Sequence, residues 1–139
     1  MQRRLAGIVI MDGVDDEWWP QSDETAHAEQ PIQLVLETGQ PAAMLDVPPM
    51  RWGGECRVEV AVNAQVIGTG QIQVRGVAKL FEGTSEDTMD LEDSKEVSFV
   101  VPKGGVPAHH HVSLHSTGAG GGDNASIRIS LTNSILEEA

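Results

Sequence analysis

From Arg57 to Leu80 the apolar residues fall on every second position through two segments joined by a glycine-bearing turn, and this pattern restricts the fold more tightly than any other in the chain. In Arg57 to Val66 the even positions are Val58, Val60, Val62, Ala64 and Val66, while the odd positions are mostly polar. In Gln71 to Leu80 the even positions Ile72, Val74, Gly76, Ala78 and Leu80 repeat that parity. A helix would scatter such residues around its axis, whereas a strand places residues i and i+2 on one face. Opposed residues of an antiparallel pair share a face, so even must oppose even, which excludes a two-residue turn across Ile67 to Gly70. The spacing predicts a three-residue loop, Gly68-Thr69-Gly70, with Gly70 taking the left-handed position. The register that follows sets Val66 against Ile72, Ala64 against Val74, Val62 against Gly76, Val60 against Ala78 and Val58 against Leu80. On the other face it sets Glu59 against Lys79 and Gln65 against Gln73, pairs worth roughly 0.2–1 kcal/mol each.

Shorter runs continue the theme. Leu5 to Met11 is an apolar run of strand length, Ile32 to Glu37 alternates through Ile32, Leu34 and Leu36, and Glu96 to Val101 alternates through Val97, Phe99 and Val101. His109 to His115 turns Val112 and Leu114 inward, and Ser126 to Thr132 does the same with Ile127, Ile129 and Leu131. About seven strands, turn residues between most of them and no long helical pattern predict an all-β chain, residues 1–139 forming a single-domain antiparallel β-sandwich. A jelly-roll or barrel-like closure is the alternative. The expected connections are an acidic loop over 12–31, with room for a short helix at 22–30, a Pro/Gly-rich loop over 38–55, an acidic loop over 82–95 and a frayed tail over 133–139. Counting reversals through these strands places the two acidic loops at opposite ends, with Trp18, Trp19 and His109 sharing one of them.

The formal charge is −12, and it is concentrated. Residues 12–29 carry seven acids and no Lys or Arg, and residues 82–96 carry seven acids against Lys95 alone. Such a chain repels phosphate backbones, which argues against nucleic acid as a partner. The apolar run behind Arg3-Arg4 is too short to span a membrane and has no small-residue cleavage site, so the expectation is a cytoplasmic protein without membrane contact. Cys56 is the single cysteine, which excludes an internal disulfide and a Cys-rich zinc site.

Three stretches carry chemistry. On a strand, His109 and His111 project to one side close enough for both imidazoles to reach one zinc or other divalent metal, with His115 further along the same face. The spacing of His109, His111, His115 and Gly122 resembles the first metal motif of the cupins. It departs at His115, where that motif carries glutamate, and at its leading glycine, displaced here to Gly104, and too little chain follows for the second motif. The plainer reading is an exposed polar strand face. Trp18-Trp19 is a candidate docking anchor, or else a plug for an open sandwich end. The acidic loops offer oxygen ligands to calcium but lack the EF-hand order, and the plainer reading is solvated loops that keep the chain soluble. No nucleophile elbow and no phosphate-cradling loop occurs.

The expectation is therefore a non-catalytic binding or assembly module that meets a protein partner or copies of itself, with no cofactor. Apolar residues on otherwise polar faces, Val35, Ala61, Val77, Phe81 and Val100, are the motive for homo-oligomer contacts. A small metal-binding protein or metal-dependent enzyme using His109, His111 and His115 is the alternative.

Overall fold

The computed structural model describes residues 1–15, 24–53, 56–85, 88–116 and 123–136. Nine strands are present among them: β1 (Gln2–Asp15), β2 (Glu24–Glu37), β3 (Ala43–Met44), β4 (Met50–Trp52), β5 (Cys56–Ile67), β6 (Gln71–Ser85), β7 (Thr88–Val101), β8 (Ala108–His115) and β9 (Asn124–Ile135). One sheet has the order β2-β1-β9-β8, and the other has β3-β5-β6-β7 with β4 also paired to β5. Every pairing is antiparallel. The chain is an antiparallel β-sandwich, and no helix among the described residues is long and apolar enough to cross a membrane.

The central hairpin has the register that alternation demands, with Val66 opposite Ile72, Val62 opposite Gly76, Val58 opposite Leu80 and Glu59 opposite Lys79. Pairing ends at Ile67 and Gln71, leaving Gly68, Thr69 and Gly70 as the loop, closed by the Gly70 N–H donating to the Ile67 carbonyl at 3.1 Å. Gly68, with φ of 54°, and Gly70, with φ of 130°, both adopt the positive φ that favours glycine, so the expected Gly70 is joined by Gly68. Gly70 is needed for a second reason as well, since a Cβ there would lie 2.6 Å from two nitrogens of Arg3.

The even residues of β5 and β6 face the odd residues of β1 and β9 across one continuous core that includes Val60, Val62, Ile72, Leu80, Leu5, Val9, Ile127, Ile129 and Leu131. Each large side chain there contributes roughly 1.5–3 kcal/mol by leaving water. One end of the sandwich is closed by a buried polar network. Arg3 Nη1 donates to Asn133 Oδ1 at 3.1 Å, and Asn133 Nδ2 donates to the carbonyls of Gly70 at 2.8 Å and Val101 at 3.2 Å.

The four expected connections all contain strand, the two acidic ones over most of their described residues. Within 12–31, the described residues 12–15 and 24–31 belong to β1 and β2 and pair with each other, Asp12 facing His27 and Asp15 facing Glu24, so the part of the helix considered at 22–30 that is described is strand from Glu24 onward. Pro31 is tolerated there because β2 is an edge strand, with a ladder on one side only. In 82–95, β6 runs to Ser85 and β7 starts at Thr88, with register shifts after Leu80 and after Glu82 that hide the alternation. The 38–55 segment holds β3 and β4, two pieces of one interrupted edge. Of the expected tail over 133–139, residues 133–135 are the end of β9, with Asn133 fully buried, and 137–139 lie outside the described residues.

Candidate functional site

The interrupted edge adds a reversal that alternation alone does not reveal, and it decides where the acidic segments lie. β5 therefore starts, not ends, at the end of the sandwich where β1 finishes. Trp52 faces Cys56, Cys56 faces Glu82, and Glu82 faces Asp90 across successive ladders. In the other sheet Val14 faces Asn124, which also faces His115. The acidic segments thus share one end, contrary to the expectation of opposite ends, and Asp15, Glu24, Glu82, Asp90, Glu92, Asp93 and Asp123 gather there. His115, not His109, is the β8 residue that reaches this acidic pole.

Beneath the pole, Asp15, Cys56 and Asp123 are all sealed from solvent, at 4%, 1% and 4% exposure. One ligand atom from each lies within 4.8 Å of the other two. The Cys56 thiol donates to Asp123 Oδ2 at 3.8 Å. Burial pushes the thiol far above its ordinary pKa, and the charges of Asp123, Asp15 and Glu82 add to that. The Glu82 carboxyl is also held above its usual value, first by burial and then by its hydrogen bond with Asp123, while the bond from Ser116 works in the opposite direction. Ser116 Oγ donates to Glu82 Oε2 at 2.6 Å, and the His115 N–H donates to Asp93 Oδ2 at 2.9 Å, so β6, β7 and the end of β8 are tied together at this point. Arg57, adjacent to Cys56, faces away, its guanidinium 4.5 Å from the Phe81 ring centroid and ion-paired to Glu59 at 3.2 Å.

Chain geometry makes room for this cluster. A Cβ on Gly53 would lie 2.1 Å from Asp15 Oδ2, and one on Gly13 would lie 2.7 Å from the Trp52 ring. Glycine at these two positions lets the β4 end and the β1 end close over the carboxylates. With the thiol proton retained the cluster is a sealed hydrogen-bonded set. With that proton removed, a thiolate and two carboxylates at this spacing could hold a single cation.

The histidines are arranged differently. His109 and His111 stand on the exposed outer face of β8, where His109 Nδ1 lies 2.7 Å from Ser130 Oγ and His111 Nε2 lies 2.8 Å from Ser126 Oγ. His115 is exposed further along. The imidazoles are spread along the strand, those of His109 and His111 bonded to serines of β9, and among the described residues the one three-donor cluster is that of Asp15, Cys56 and Asp123. His110, on the inward side, stacks on Phe99 with centroids 5.0 Å apart. Trp18 and Trp19 lie outside the described residues. Cys56, Ser116 and Asp123 stand in no sequence motif, while Glu82 lies in the acidic 82–95 stretch that offers oxygen ligands to calcium. Cys56 and Glu82 are remote in the chain from Ser116 and Asp123, so no spacing joins them.

The fold and this pole define an antiparallel β-sandwich with a concentrated acidic end. Comparison with protein-family models, with curated proteins and with solved structures returns no match.

Proposed function

We propose that the chain is a non-catalytic binding module whose working surface is the acidic pole, and that its partner is a protein with a cationic surface. The observation that supports this reading is the gathering of Glu24, Glu82, Asp90, Glu92 and Asp93 at one end, above the buried Asp15 and Asp123, through the ladder pairings of both sheets. Concentrated charge of one sign steers an oppositely charged partner and sets orientation, an effect that weakens with salt. The lone, reduced and buried Cys56 fits a cytoplasmic setting. Two such poles repel each other, so self-association would use other surfaces, among them the exposed Val35 and Val100 on outer strand faces.

The test uses oligolysine as the cationic probe. Reversing Glu24, Asp90 and Glu92 to Lys is expected to abolish binding measured by calorimetry at low salt. Reversing Glu37, Asp46 and Glu96 to Lys, an equal change in net charge away from the pole, is expected to leave most of it. Equal losses in both variants would mean that net charge alone attracts the probe, and the reading would fail. Strictly monomeric light scattering across concentration would remove self-association from it.

A further inference from the structure

We draw no further inference here: the strongest candidate, the sealed Asp15, Cys56 and Asp123 cluster beneath the acidic pole, belongs to the site already described, and as carboxylates around a lone thiol it has no second observation beside it that names a ligand.

Discussion

Cys56 donates its thiol hydrogen to Asp123 across 3.8 Å, joining the start of β5 in one sheet to the residue that precedes β9 in the other. Both side chains are closed to solvent. The thiolate is the reactive form, and here burial and three neighbouring carboxylates oppose it. The native protein is therefore expected to react with a disulfide reagent at pH 8 roughly a hundredfold more slowly than the urea-unfolded chain, because attack must await local opening. Comparable rates in the two states would place Cys56 at an open surface.

Glu82 provides a test at the same pole. Its proton affinity is raised in the folded state, so its contribution to stability is full below its ordinary value of 4.5 and is lost as pH rises through the folded value. Above that folded value the raised proton affinity counts against folding. Glu82→Gln keeps one oxygen to accept from Ser116 Oγ, replaces the other by an amide donor, and removes the charge. It is expected to raise Tm at pH 7 by a few degrees, the shift that about 0.5–1 kcal/mol produces in a chain of this size once partial exposure is allowed for. The variant should also gain less than the wild type on acidification, with both proteins kept in chelator. A lower Tm at pH 7 would contradict this account of the pole.

On the outer face of the β1–β2 hairpin, His27 bridges Asp12 and Glu29, and Arg128 Nη2 donates to Asp12 at 3.3 Å. The bond to Asp12, followed by that to Glu29, raises the His27 pKa, and the bond from His27 lowers that of Asp12. The histidine's contribution is full below 6.5 and fades as pH rises through its elevated value. That of Asp12 is present above 3.8 and fades as pH falls through its depressed value. The stability difference between wild type and His27→Gln should therefore peak between about pH 4 and 6.5 and shrink in high salt, since the pair is exposed. A difference that does not vary with pH in chemical denaturation would rule the bridge out.

Gly76 tests the core. A Cβ there would fall 2.0 Å from the Ala61 carbonyl oxygen and 2.6 Å from Val62 Cα, both backbone atoms that cannot swing aside. Gly76→Ala is expected to cost about 1–3 kcal/mol, read from denaturant midpoints. Gly104→Ala, where nothing lies within 4 Å, should stay within about 0.5 kcal/mol. Equal effects at the two sites would refute the close approach of β5 and β6.

Alternation alone determined a good part of this molecule. A strand has only two faces, so the parity of Val58 to Val66 and of Ile72 to Leu80 was sufficient to set the inner face, the loop length and the register of the central hairpin. Inward residues such as Ile32, Val112 and Ile129 followed for the same reason. Polar strands were harder to read. Asp12 and Glu24 to Gln30 are strand because they pair with each other across an exposed ladder, which no burial pattern announces. Only tertiary structure decided where the acids meet. β3 and β4 are too short to show any period and exist through their pairing with β5, yet together they supply the extra reversal that brings Asp15 and Glu82 to the same end. Cys56 and Asp123, distant in the chain, become neighbours because two sheets stack there, and the raised proton affinity of the Cys56 thiol comes from burial and from nearby carboxylates, which a linear sequence does not contain.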